Sequence, residues 1–140
     1  MIEWLWVGLL ALGACHRDGR ALALLLALKW ACNYTAFHLI GETAPALVDI
    51  ALGTVGVIWA SRAHRWWADA VIAGFVLTPL AHGWYWFQYG AGSASPEVYY
   101  WLLVGLFTMQ AAALAWPAVA QGGRAAARRL KRARIDRQAG

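Results

Sequence analysis

Five apolar runs, separated by short charged or Gly/Pro/Ser punctuation, leave this chain few folds to choose from. They cover 2–15, 21–41, 44–61, 68–90 and 98–120. A helix that crosses a bilayer needs about 20 largely apolar residues, with a range of roughly 17–25. The last four runs meet that length. The first is short and spans only with tilt, local thinning or snorkelling of Arg17. The expected fold is an all-α integral membrane protein, a bundle of five transmembrane helices. Residues 1–120 form the transmembrane domain, and 121–140 a basic tail.

Composition argues against a soluble helical bundle. Charged residues make up 14% of the chain, against about 25% in a soluble domain. So small a domain needs polar groups to cover itself, and this chain lacks them. The two cysteines, Cys15 and Cys32, give neither a disulfide framework nor a metal site. On helices of this layout they differ in depth by roughly 15 Å.

Charge placement sets an orientation. Arg17 and Arg20 follow the first run, and Arg62 and Arg65 the third. Arg124, Arg128, Arg129, Lys131, Arg132, Arg134 and Arg137 follow the fifth. The opposite side carries Glu3, Glu42 and Glu97 and no basic residue. With five spans every basic loop falls on one side, which puts the N-terminus outside and the C-terminus in the cytoplasm. The expected location is a bacterial cytoplasmic membrane. Boundary aromatics follow the same layout: Trp4, Trp6, Trp84, Trp86, Tyr89, Tyr99, Tyr100 and Trp101 outside, Trp59, Trp66, Trp67 and Trp116 inside. The seven basic residues of the tail are expected to contact anionic lipid headgroups. Nucleic acid is a less favoured partner.

"LGAC" (12–15) resembles a lipobox, the lipidation site of bacterial lipoproteins. The preceding MIEWLW carries Glu3 and no Lys or Arg, where a signal peptide wants a positive segment. The spanning reading is preferred.

The spans contain polar residues that need a reason. A charge at mid-bilayer costs at least ~2.5–3.5 kcal/mol on insertion scales. Lys29 and Asn33 stand four apart and share a helix face. Asp49, Gly53, Gly56 and Ala60 share a face of the next helix, a small-residue strip suited to close packing. A tight connection near Glu42–Thr43 makes the two helices an antiparallel hairpin. Asp49 then falls roughly opposite Ala36, and Lys29 lies about 10 Å deeper. A relay from Asp49 through Asn33 to Lys29 is easier to build than a direct ion pair. Thr78, His82, Tyr85 and Tyr89 share a face of the fourth helix. Thr78–Pro79 should kink that helix and free a carbonyl. Thr108 and Gln110 stand at mid-depth on the fifth. Lys29, Asn33, Asp49, His82 and Gln110 are the expected polar intramembrane network. It reads either as a hydrated path or proton relay, or as a neutralised network that holds the five helices together.

Histidines raise one remote alternative. His38 and His82 lie in the outer half, and His16 and His64 near the inner edge. In depth alone this resembles the bis-histidine layout of small membrane cytochromes b, which implies a b-type haem electron carrier. No flanking motif supports it, and no cofactor or metal is expected. No intramembrane serine nucleophile, HExxH, phosphate loop or buried carboxylate pair is present. Enzymatic activity is not expected.

In layout, Trp-rich boundaries and basic tail, the chain resembles small uncharacterised membrane proteins of bacteria and their phages. Holins, which permeabilise the inner membrane, are similar in being short, multi-spanning and ended by a basic tail, although most have fewer than five spans. That resemblance implies a self-associating, permeating protein. The first expectation is therefore permeation by a self-associating, channel- or holin-like protein with a polar interior; the alternative is a non-catalytic accessory protein whose polar network is structural and whose aromatic rim or basic tail binds a partner.

Overall fold

The computed structural model describes residues 2–41 and 43–139, with side chains for 4–17, 19–41, 43–128 and Lys131. Helix α1 is Ile2–Ala14, α2 Arg17–Leu39, α3 Ala44–Ala60, α4 Trp66–Gly90 and α5 Pro96–Ala139. One 3-10 turn, Ser61–Ala63, links α3 to α4. No strand occurs among the described residues. Four stretches are long and apolar enough to cross a membrane: Gly19–Leu39, Ala44–Ala63, Trp66–Gly90 and Pro96–Arg128. Helix α1 has 13 residues, about 20 Å of rise, which is short of a ~30 Å hydrocarbon core.

Local chemistry sets the helix ends. The His16 imidazole caps α2, its Nδ1 accepting the Gly19 amide at 3.0 Å. Helix α2 therefore begins at Arg17, four residues before the expected 21, and Arg17 and Arg20 sit on its first turn instead of in a loop. Gly41, at φ 116°, turns the chain after α2 while its amide reaches back to the Ala36 carbonyl at 3.2 Å. Only glycine takes that conformation without strain. A proline at the start of α3 then supplies a preset helical φ.

Helix α5 runs 44 residues without a break, about 66 Å. The basic segment after residue 120 continues this helix through Gly122 and Gly123. Each glycine costs about 1 kcal/mol of helix propensity, and the pair does not interrupt the helix. Helix α4 likewise continues through Pro79. Pro79 has no amide for the Phe75 carbonyl, so that oxygen is freed as expected. It faces α3 at Gly53, where an added Cβ would lie 3.4 Å from it.

Each helix packs on its neighbours in the chain, and α1 also packs on α5, closing the bundle. Residues Leu22, Leu26, Val71, Phe75 and Leu114, none more than 2% exposed, form the centre of the apolar core. Alanines and glycines let the helices approach. The expected small-residue face of α3 is buried, and a Cβ on Gly56 would lie 2.3 Å from the Phe75 ring. A Cβ on Gly74 of α4 would lie 2.3 Å from the Gln110 Cγ of α5. Lipid tails are as apolar as leucine, so close packing is what holds such helices together. The outward surface is strongly apolar, with Leu39, Ile40, Leu47 and Phe87 each 70% exposed or more. In water that surface would aggregate; against acyl chains it is at ease.

Two aromatics expected at the boundary belong to the interior. Trp6 is 9% exposed and donates its indole N–H to Thr108 Oγ1 at 2.9 Å, with its ring edge-on to Phe107. Trp67 is 5% exposed and meets His16 edge to face. Both bury a large ring at a helix crossing, where packing outweighs the boundary preference. Trp4, Trp66, Trp101 and Trp116 do lie exposed on the surface.

Candidate functional site

Asp49 is the centre of the buried polar chemistry. It lies on the packed face of α3 and is 2% exposed. Its Oδ1 receives the Asn33 amide at 2.6 Å and the Lys29 ammonium at 3.2 Å, both from α2. Its Oδ2 lies 2.6 Å from Nε2 of His82 on α4. His82 in turn uses Nδ1 toward the Tyr99 hydroxyl of α5. Tyr99 stacks on Tyr85, with centroids 4.2 Å apart. The chain Lys29–Asp49–His82–Tyr99 thus ties four successive helices together at one level.

The Lys29–Asp49 pair is direct, which corrects the expected relay through Asn33. Asn33, and not Ala36, stands opposite Asp49. Lys29 is one turn away on the same face, about 6 Å along the axis. The lysine stem covers that distance, so both donors reach the same carboxylate oxygen. The ammonium also lies 5.6 Å from the Phe75 ring centroid, a favourable position for a desolvated cation. The carboxylate and the ammonium cancel in charge, and Asn33 and His82 fill the remaining bonding directions. A buried ion pair is tolerated on these terms.

Gln110 does not join this set. It is fully buried against Gly74, and its amide donates to the Val71 carbonyl at 3.0 Å. It links α5 to α4 nearer the apolar core, and its Oε1 has no partner among the described residues. Depth alone groups it with Asp49; helix rotation separates them. Tyr99 is the member that the sequence does not single out. By residue type it belongs with the boundary aromatics. The available signal is its place just after Ser95–Pro96 at the start of α5, beside the α4 end that carries His82.

A cavity of about 230 Å³ adjoins Asp49. Lys29, Asn33, Asp49 and Thr78 supply its polar side, and Trp6, Tyr100 and Phe107 are among its apolar walls. Asn33 Oδ1 is buried without a partner among the described residues. On the other side of the polar centre the helices close on Leu26, Val71, Phe75 and Leu114, and Arg17 and Arg65 lie beyond, at the basic end.

Two of the histidines are already committed to the fold. His82 uses both ring nitrogens, and His16 uses Nδ1 for the Gly19 amide and Nε2 for the Leu114 carbonyl at 3.3 Å. Neither has a nitrogen to spare for haem iron. Among the described residues no three His, Cys, Asp or Glu side chains gather as a metal site. Of the tail cations, Arg124, Arg128 and Lys131 are exposed. The side chains of Arg129, Arg132, Arg134 and Arg137 lie outside the described residues. No protein-family model matches the chain, nor does any curated protein or solved structure.

Proposed function

We propose that the chain is a non-catalytic accessory protein of a bacterial cytoplasmic membrane, with five spans and its N-terminus outside. In this reading the polar centre is a structural tie. The observation that carries it is the self-sufficiency of Asp49, whose two oxygens hold donors from α2 and α4 within one copy of the chain. Beneath it the helices close on an apolar core that includes Leu26, Val71, Phe75 and Leu114. The functional surfaces are then the exposed aromatic rim and the basic extension of α5, available to lipid headgroups and to a partner.

Permeation is the second reading, and one observation favours it. The run Lys29–Asp49–His82–Tyr99 together with the adjoining cavity makes a polar half-path on the side away from the basic end. Completing it requires copies to associate, as holins do. Membrane potential during induced expression separates the two readings, followed with a potential-sensitive dye beside an inert five-span control. The accessory reading expects an intact potential with the protein well inserted. Rapid depolarisation that Asp49→Leu abolishes without loss of insertion would overturn it in favour of permeation.

A further inference from the structure

Three arginines that the polar centre does not use converge at the basic end. Arg17 opens α2, Arg65 immediately precedes α4, and Arg124 lies on α5 two turns beyond Trp116. They come from three separate parts of the chain, yet line one cleft of about 430 Å³. All three are exposed, and among the described residues none has an ion pair. Asp69, exposed on the first turn of α4, is the acid described nearest in sequence to Arg65. Trp66 and Trp116 also line the cleft and meet edge to face at 6.0 Å. His16 lines it as well, but its nitrogens are spent on Gly19 and Leu114.

The chemistry selects an anion with oxygens arranged for guanidinium forks. Arg presents paired N–H groups that match phosphate oxygens two at a time. Three like charges around one cleft repel each other until an anion of comparable charge lies between them. The location selects a lipid over a soluble phosphate. The cleft lies where α1 and α3 end and α2 and α4 begin. Its two exposed tryptophans are the residue type that prefers the headgroup boundary. Pro117 and Ala120 of α5 also line the cleft, and Val119 on the same helix is 52% exposed, an apolar stretch suited to acyl chains. Basic pockets between spans on the cytoplasmic side are a recurrent setting for doubly charged headgroups.

We propose that this cleft binds the headgroup of an anionic phospholipid bearing two phosphate charges, with Arg17, Arg65 and Arg124 on the phosphates and Trp66 and Trp116 beside the glycerol. The site is distinct from diffuse attraction to the basic tail, of which Arg124 alone takes part. It rests on the membrane-spanning reading. Binding is measured on the full chain in neutral detergent, so its failure is separable from a failure of topology.

The experiment is native mass spectrometry of the purified protein titrated with cardiolipin, phosphatidylcholine or inorganic phosphate. One tightly held cardiolipin per chain is expected. The triple variant Arg17→Gln/Arg65→Gln/Arg124→Gln should weaken it on the order of 100-fold, at roughly fivefold per basic residue, to the level of phosphatidylcholine. The variant Arg20→Gln/Arg62→Gln, which removes two exposed cations at the same end that do not line the cleft, should bind as the parent does. All substituted residues are exposed, and an unchanged helical circular dichroism spectrum confirms the fold. Undiminished binding by the triple variant would overturn the proposal. So would equal losses in the two variants, which would mean diffuse attraction, or displacement of cardiolipin by millimolar phosphate, which would mean a soluble-anion site.

Discussion

Removing Asp49 should damage this protein more than removing any other polar residue, and removing its partner at the same time should repair much of the damage. Asp49→Leu leaves a buried ammonium, an amide and an imidazole without the acceptor they share at 3.2, 2.6 and 2.6 Å. Breaking a buried ion pair from one side costs about 3–5 kcal/mol, and the cost of a lone Lys at mid-helix on insertion scales, ~2.5–3.5 kcal/mol, is of the same order. Lys29→Leu is the milder change, because Asp49 keeps Asn33 and His82; about 2–3 kcal/mol is expected. The double variant Lys29→Leu/Asp49→Leu removes both charges. It leaves Asn33 and His82 short of a partner, at about 1 kcal/mol each. It should therefore be more stable than Asp49→Leu alone, with a coupling of at least ~2 kcal/mol. Unfolding in mixed micelles, followed by tryptophan fluorescence as denaturing detergent replaces mild detergent, gives the three values. Strictly additive losses, or an Asp49→Leu variant within ~0.5 kcal/mol of the parent, would refute the argument that these groups hold each other.

Two further outcomes follow from the same geometry. Tyr99→Phe keeps the ring on Tyr85 but takes the hydroxyl from His82 Nδ1; a loss of about 0.5–1.5 kcal/mol is expected in the same unfolding assay, whereas Tyr100→Phe on the neighbouring exposed residue should change nothing. Gly74→Val drives a branched side chain into Gln110, whose Cγ already lies 2.3 Å from the position of a Cβ; it should cost about 1–3 kcal/mol or more, seen as a lowered thermal midpoint in detergent.

Much of the fold is legible in residue order, because apolar runs of spanning length admit few alternatives. Four of the five runs correspond to helices long and apolar enough to span, and the polar face Lys29/Asn33 does meet the α3 face that carries Asp49. The differences share one cause: sequence gives depth well and rotation poorly. Gln110 has the depth to join Asp49 but points at Gly74. Trp6 and Trp67 have the depth of boundary residues but turn inward. Residue type alone sends Tyr99 to the boundary, and its partner on α4 is visible only once the α4–α5 turn is built. In the sequence Arg17 and Arg65 speak only of topology and Arg124 only of the tail's attraction to anionic headgroups, since no spacing rule joins residues 17, 65 and 124. Sequence underestimates the Lys29–Asp49 pair because it fixes the register of a hairpin only to within about one turn, and one turn is the reach of a lysine stem.

The central claim is five spans, and the short helix α1 is where it is most exposed. The direct measurement is labelling of single cysteines, Ile2→Cys or Gly140→Cys, in a Cys15→Ser/Cys32→Ser background. A membrane-impermeant maleimide is applied to intact cells and then to permeabilised ones. Five spans predict that residue 2 labels in intact cells and residue 140 only after permeabilisation. If both positions label only after permeabilisation, α1 does not cross, the chain has four spans, and the five-span topology is wrong at its base.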